Sequence, residues 1–133
     1  MKITEGLRMN DKEKPEDLKT RTKRFALRVI RLYSSLPKTT GAQILGRQVL
    51  RSGTSVGAHY REGFRARSNA EVVSKFEGAL QELEETAYWL ELLIESGMVK
   101  SHLLKNLLME TDELIAILTT CVRRVKAKSG SKK

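Results

Sequence analysis

Apolar side chains recur along the chain at spacings of three and four residues, in four separate stretches. This is the period of an amphipathic α-helix, and no stretch alternates apolar and polar residues as a half-buried strand would. The first predicted helix covers about 17–35 and ends before Pro37, because proline disfavours helical backbone in the residue before it. Its apolar face consists of Phe25, Val29, Leu32 and Leu36, widened by Ala26, Ile30 and Tyr33.

Two further helices have recognisable starting signals. The second is predicted over about 41–65, where Thr40 and Gln43 have the spacing of a capping box. The third is predicted to begin after Ser68, which stands in the same relation to Glu71. Both signals place a side-chain acceptor where the first amide groups of a helix lack partners.

The third helix is predicted to end at Gly97, and a fourth helix is predicted over about 101–126. The core positions of these two helices are predicted to be Val73, Phe76, Leu80, Leu83, Ala87, Leu90 and Ile94, and then Leu104, Leu107, Thr111, Leu114, Leu118, Cys121 and Val125. Because the connections are short, neighbouring helices should run antiparallel. The sequence therefore predicts an all-α fold, an up-down antiparallel four-helix bundle.

The chain of 133 residues suits one compact domain, which we place at 17–127. Residues 1–16 and 128–133 are polar and without periodicity, so we expect flexible basic tails there. No apolar run approaches the roughly 18 residues of a membrane span. A single cysteine excludes an internal disulfide and fits a reducing compartment. We therefore expect a cytoplasmic protein with no membrane contact.

The net charge of +9 is unevenly distributed. Residues 1–40, 41–67 and 98–133 carry net charges of +6, +4 and +5, whereas residues 68–97 carry −6. An excess of positive charge favours polyanionic partners but says nothing about fold. The distribution indicates that the basic side chains lie on particular helices, so the positions of the arginines matter more than the total.

Arginines line one face of each of the first two predicted helices. Their spacing places those of each helix on one ridge, and every one is arginine although lysine would solubilise equally well. The guanidinium fork suits bidentate contacts with phosphate or carboxylate. The candidate nucleic-acid-binding residues are Arg21, Arg24, Arg28, Arg31, Arg47, Arg51, Arg61, Arg65 and Arg67. The alternatives are a solvated face, or ion pairs with the glutamates of the third helix, within or between subunits.

Glycines on the second helix predict a close approach of another backbone, since each costs about 1 kcal/mol relative to alanine in a helix. Close packing within one bundle and contact between subunits both explain them. On the third helix, Trp89 is expected to point away from the core, flanked by apolar neighbours, as an interface anchor would. The candidate oligomer-interface residues are Gly53, Gly57, Tyr60, Phe64, Trp89, Leu92 and Leu93.

Nothing in the sequence indicates catalysis. There is no glycine-rich phosphate loop, nucleophile elbow or triad. The helix-bundle di-iron motif Glu-x-x-His is absent, and His59 and His102 lack partners at ligand spacing. The glutamates of the third helix are interpreted as a solvated acidic face, and Cys121 as a small core residue. We therefore expect no enzyme, no cofactor and no metal.

One segment has a specific resemblance. The run GRQVLRSGTSVGAHYREG over 46–63 resembles the signature of the bacterial four-helix-bundle family, also called the 23S rRNA intervening-sequence proteins or S23 family. Further matches are FRARS over 64–68, EETAYWLELL over 84–93 and RTKRFALR over 21–28, together with Glu71, Phe76, Leu36 and Pro37. The resemblance covers about 18–126. The family usually has asparagine where this chain has His59.

The resemblance implies a four-helix protomer that assembles as a homopentamer and has no enzymatic activity. Some family members are encoded within insertions of 23S rRNA genes, and distant relatives assist reverse transcriptases and bind nucleic acid. The leading hypothesis is a homo-oligomer that binds structured RNA, or nucleic acid generally, through its arginines. The alternative is a scaffold whose arginines bind an acidic protein partner, for example as an accessory factor for a reverse transcriptase.

Overall fold

The computed structural model describes residues 15–131, with side chains over 17–129. Over these residues it contains four α-helices and no strand. The helices are α1 (Pro15–Ser35), α2 (Thr40–Phe64), α3 (Asn69–Glu95) and α4 (Ser101–Ser131). The predicted all-α four-helix bundle is therefore confirmed.

The ends of the helices follow local chemistry. Helix α1 begins with Pro15, a residue favoured in the first turn because its missing amide hydrogen has no intrahelical partner there. Helix α4 continues to Ser131, past the predicted end near 126. Both helices thus extend into the predicted tails 1–16 and 128–133, and the rest of those tails lies outside the described residues.

The start of α2 differs from the prediction by one residue. The N-cap is Thr39, whose Oγ1 accepts a hydrogen bond from the Ala42 amide at 3.4 Å, so the predicted Thr40 capping box is wrong. Gln43 reaches back instead: its Nε2 donates to the Pro37 carbonyl at 2.9 Å, and its Oε1 lies 3.2 Å from the Tyr33 hydroxyl. The glutamine therefore ties α2 to the end of α1.

The predicted signals for α3 are confirmed. Ser68 is the N-cap, and its hydroxyl accepts from the Glu71 amide at 3.1 Å. The Glu71 carboxylate accepts in turn from the Arg67 amide at 3.0 Å. At the other end Gly97 has φ +81°, the left-handed conformation that glycine adopts without steric cost.

The helices pack in chain order, α1 on α2, α2 on α3 and α3 on α4. Helices α1 and α4 approach closely only over a short stretch, so the seam between them is the loosest in the bundle.

The buried apolar residues run the length of all four helices. They are Leu18, Phe25, Val29, Leu36, Ala42, Val49, Val56, Tyr60, Phe76, Ala79, Leu83, Leu90, Leu93, Leu104, Leu107, Leu114, Leu118 and Val122. The predicted stripes were partly wrong. Ile30 is 43% exposed, Leu93 rather than Ile94 is fully buried, and Val122 is buried where Cys121 was expected.

Four hydroxyl residues are buried in this core, and each has a hydrogen-bond partner. The hydroxyls of Thr22, Thr86 and Thr111 donate to carbonyls one turn earlier, each at 2.8 Å. Ser52 and Thr86 share a further bond of 2.7 Å that joins α2 to α3. Because a buried hydroxyl without a partner is costly, these bonds explain how polar residues occupy core positions.

Candidate nucleic-acid interface

Arg21 is neutralised within the protein. Its Nη2 lies 2.7 Å from Glu110 Oε1 and 2.9 Å from Glu113 Oε1, both on α4, and its Nε donates to Glu110 at 3.1 Å. Only 13% of its side chain is exposed. The hydrogen bond to Glu110 is the main cause of a raised Arg21 pKa, partly opposed by burial. Arg21 therefore joins α1 to α4 and is not available to a ligand.

Arg28 lies one heptad further along α1, on the same edge of the helix as Arg21. Because α4 runs antiparallel, the residues seven positions before Glu110 and Glu113 are its counterparts there, namely Leu103 and Asn106. Neither is a carboxylate. Arg28, Leu103 and Asn106 instead line a groove of about 750 Å³ between α1 and α4.

Arg31 lines the same groove and is exposed, as is Arg24 one turn before Arg28. Within the described part of the chain, no carboxylate lies at ion-pair distance from Arg24, Arg28 or Arg31. The four arginines of α1 therefore differ: Arg21 is held by glutamates, and the other three are unpaired.

The arginines of α2 divide in the same way. Arg51 is paired with Glu82 and Glu85 of α3, with its Nη1 3.4 Å from Glu82 Oε1. That side chain is 52% exposed, so solvent weakens the pairing. Arg47 is exposed, with no carboxylate at ion-pair distance among residues 17–129.

Arg61, Arg65 and Arg67 come together where α2 turns into α3. They line a surface depression of about 740 Å³ that also includes Lys75. Lys75 is 3.3 Å from Glu62, whereas the three arginines have no such partner among the described side chains. The single ridge predicted for α2 is thus divided between its two ends.

Two cations of these surfaces were absent from the sequence prediction. Lys100 lines the α1–α4 groove, and Lys75 lines the depression at the α2–α3 turn. A helical wheel of α1 or α2 alone could not find them, because Lys100 lies in the connection before α4 and Lys75 lies on α3. The antiparallel register of a bundle would have indicated the first, since Lys100 faces the end of α1.

Comparisons with known proteins show which family the chain belongs to. The family model described as 23S rRNA-intervening sequence protein matches residues 16–120. The chain belongs to this family. A solved protein with unknown function, from the S23 ribosomal protein family of Bacteroides thetaiotaomicron, is also similar. It is 33% identical, with a TM-score of 0.77, over 82% of this chain and 97% of that chain. No curated protein in the comparison matches the chain.

In this S23-family protomer the glycines of α2 bring α1 close. A Cβ at Gly53 would lie 2.7 Å from Val29 Cγ2, and one at Gly57 would lie 3.1 Å from Thr22 Oγ1. Both glycines are buried within the chain, so their assignment to an oligomer interface is corrected to close packing inside one bundle. Tyr60 is corrected likewise: it is 2% exposed and stacks on Phe76, and burial raises its pKa.

The apolar residues proposed on α3 are also rearranged. Leu93 is fully buried, a correction that follows from its place three residues after Leu90 on the buried face. Trp89 and Leu92 are partly buried, with Trp89 packed against the core, so Trp89 does not point away from it. The exposed aromatic is its neighbour Tyr88, 54% exposed with its ring centroid 5.1 Å from that of Trp89. The prediction missed Tyr88.

Phe64 lies on the surface of the protomer, with 51% exposure, and its place in an oligomer interface stays a prediction. Within residues 17–129 no three His, Cys, Asp or Glu side chains are grouped to hold a metal ion. His59 lies 3.7 Å from Glu82 and 4.0 Å from Glu62, on the surface where α2 meets α3. No helix of the described chain is long and apolar enough to span a membrane.

Proposed function

We propose that this S23-family protein is a non-enzymatic homo-oligomer that binds nucleic acid, with structured RNA favoured, through its unpaired arginines. One observation carries the proposal. Two of the nine candidate arginines are held by glutamates, and the other seven have no carboxylate at ion-pair distance in the described part of the chain. Unpaired guanidinium groups are the donors that phosphate oxygens fit.

The spread of these arginines suits an extended polyanion. Gly53 packs on Val29, so Arg31 of α1 is level with the middle of α2. At 1.5 Å per helical residue, Arg65 lies about 20 Å further along the bundle axis. This axial offset is that of several phosphates along a nucleic-acid strand. Because Arg31 and Arg65 line opposite seams of the bundle, a strand that contacts both would pass around the protein. The contacts would position a backbone and would not read base sequence.

The deciding experiment is a salt series with two double variants of equal charge. Arg24→Glu with Arg28→Glu removes two proposed phosphate-binding groups. Lys105→Glu with Arg123→Glu makes the same charge change at exposed cations of α4 outside the proposed surface. For a structured RNA hairpin, we expect the first variant to bind more weakly and its log K to depend less steeply on log salt, by about 1 for each phosphate that is no longer bound.

The two double variants distinguish a defined surface from bulk charge. If the control pair weakens RNA binding as much as the arginine pair, only bulk charge matters and the assigned surface is wrong. If the unmodified protein binds the hairpin with an affinity that salt does not change, phosphate contact is excluded. A duplex DNA of equal length, titrated alongside, tests the preference for RNA.

A second candidate is a protein scaffold without a nucleic-acid role. It is favoured by Arg21 and Arg51, which show that arginines of these ridges do pair with carboxylates. In that case the Arg24→Glu and Arg28→Glu pair should abolish capture of an acidic partner, and the purified protein should carry no nucleic acid by its ultraviolet absorbance ratio.

The assembly part of the proposal has its own test. Family resemblance supports a homopentamer, and the exposed Tyr88 and Phe64 supply apolar surface for a subunit contact. Tyr88→Glu should lower the mass measured by light scattering while the helical circular dichroism is kept. Tyr88 is a better probe than Trp89, because Trp89 packs on the core of its own chain. An unchanged mass would remove Tyr88 from the interface.

A further inference from the structure

The groove between the second half of α1 and the first half of α4 is lined by thirteen residues and has a volume of about 750 Å³. Its apolar lining includes Leu32, Leu36, Leu104 and Leu107. Leu103 stands at its edge with 65% of its surface exposed, the largest exposure among the large apolar residues of the described chain. Leu36, Leu104 and Leu107 are at most 5% exposed. The apolar surface open to a ligand therefore comes from Leu103, with the partly buried Leu32, Met98 and Val99 beside it.

The charge around this apolar floor has one sign. Arg28, Arg31 and Lys100 belong to the lining, and none of the thirteen lining residues is aspartate or glutamate. Arg28 and Arg31 have no ion-pair partner among the described side chains. An apolar floor beside unpaired cations favours a ligand that is itself apolar along its body and anionic at one end.

The protein itself shows which anion this edge of α1 accepts. One heptad away, Arg21 takes two carboxylates from α4, at 2.7 and 2.9 Å. At the groove the equivalent positions of α4 are Leu103 and Asn106, so Arg28 lacks the carboxylate that Arg21 has. A ligand carboxylate at Arg28 would complete the pattern that the chain builds for itself at Arg21.

We propose that the α1–α4 groove binds a single-chain amphiphile with a carboxylate head group. The head lies at Arg28 and Arg31, and the chain lies along Leu103 and Leu32 toward Leu36. The volume falls within the range of about 300–1,000 Å³ that is usual for small-molecule sites. The inference concerns a different ligand from that of the proposed function.

Two other occupants fit the groove less well. A stable protein interface uses roughly 20–30 residues on each side, more than the thirteen that line this groove. Two copies of the chain related by a twofold axis would meet groove to groove and bring like charges together, which is unfavourable. The amphiphile matches both the size of the groove and the sign of its charge.

The test uses the unmodified full chain and dodecanoate, below the concentration at which dodecanoate aggregates, in isothermal titration calorimetry. We expect saturable binding of one dodecanoate per protomer. Dodecyltrimethylammonium keeps the chain and reverses the head charge, and hexanoate keeps the head and shortens the chain. Both should bind at least about tenfold more weakly, since each lacks one of the two matched features.

Two single variants locate the site. Leu103→Glu supplies an internal carboxylate at the position equivalent to Glu110 and should weaken dodecanoate binding by about tenfold or more. Met109→Glu makes the same charge change on α4, at a residue 53% exposed and outside the groove, and should leave binding unchanged. Because both sites are exposed, both variants should fold, which circular dichroism checks.

Absence of saturable dodecanoate binding would overturn the proposal. So would equal binding of the trimethylammonium probe, or equal effects of the two variants. If dodecanoate fails to bind and Leu103→Glu lowers the mass in light scattering, the groove holds a second copy of the chain. These measurements contain no nucleic acid, so their failure leaves the RNA proposal standing, and the hairpin titration can fail without affecting them.

Discussion

Helix α1 packs on its two neighbours by opposite means. Toward α2 the contact is steric: Gly53 leaves room for Val29 and Gly57 for Thr22, since a Cβ at these glycines would lie 2.7 and 3.1 Å from the facing side chains. Toward α4 the contact is electrostatic, through Arg21 and two glutamates, and it is closed over only part of its length. One helix thus has a tight seam and an open seam.

The difference shows where each seam can carry function. At Gly53 the α1–α2 seam has no room for an added methyl group, and at Gly57 it has little, so these buried positions serve the fold. The α1–α4 seam changes character within one heptad, from a neutralised arginine at Arg21 to an unpaired one at Arg28. The surface available to ligands begins where the internal carboxylates end.

The tight seam should respond most to added volume. Gly53→Ala would place a methyl 2.7 Å from Val29 Cγ2, and Val29 is a stiff β-branched residue within the core. We expect a loss of about 2 kcal/mol of unfolding free energy, the overpacking cost less the gain in helix propensity. Urea denaturation followed by circular dichroism measures it.

Gly41→Ala is the matched control for Gly53→Ala. Its added methyl would meet only the end of the Met98 side chain, at 2.6 Å, and methionine can move aside. Helix propensity should then dominate, and stability should be unchanged or slightly higher. Equal losses in the two variants would contradict a seam that depends on close approach at Gly53.

Two arginine variants in the α1–α4 seam should differ in how much stability they cost. Arg21→Gln removes a part-buried group with two carboxylate partners and should cost about 1.5 kcal/mol, the order expected for hydrogen bonds between charged groups. Arg28→Gln removes an arginine without such a partner and should change stability by less than about 0.5 kcal/mol. Thermal unfolding of both variants at low and high salt checks this.

Salt gives the second readout of that pair. Added salt screens the Arg21 ion pairs, so the loss of stability caused by Arg21→Gln should be modestly smaller at high salt. The small effect of Arg28→Gln should not change with salt. If Arg28→Gln destabilises the protein as much as Arg21→Gln, Arg28 has an internal partner, and the division of the α1–α4 seam is wrong.

The fold was readable from the sequence because its determinants are local and periodic. The break at Pro37, the cap at Ser68 and the left-handed Gly97 each act within one turn, and all three were placed correctly. The errors are one-residue or one-face errors. Thr39 rather than Thr40 caps α2. Leu93 rather than Ile94 is fully buried, because the packing of α3 on its neighbours decides which of two adjacent residues faces the core.

The candidate site was readable only in part. Periodicity correctly placed Arg21 and Arg28 on one edge of α1, but the two have different surroundings. That difference depends on which residues of α4 lie opposite, and no property of α1 alone contains it. The glycines show the same limit: their spacing predicted a close approach, whereas the identity of the approaching helix required the structure.

The smallest effect is expected for a variant that gives the α1–α4 seam at Arg28 the same ion pair that it has at Arg21. Leu103→Glu places a carboxylate opposite Arg28 in the position that Glu110 occupies opposite Arg21. An exposed ion pair contributes little, so we expect a gain of about 0.5 kcal/mol that disappears in high salt. Met109→Glu, without a facing arginine in the groove, should give no gain. The unfolding free energy is measured by urea denaturation at two ionic strengths. Guanidinium chloride is unsuitable as the denaturant because it is itself a salt. A salt-independent gain would mean that removal of the exposed leucine, and not the new charge pair, stabilises the seam; a loss in Leu103→Glu alone would show that Leu103 already packs against a partner.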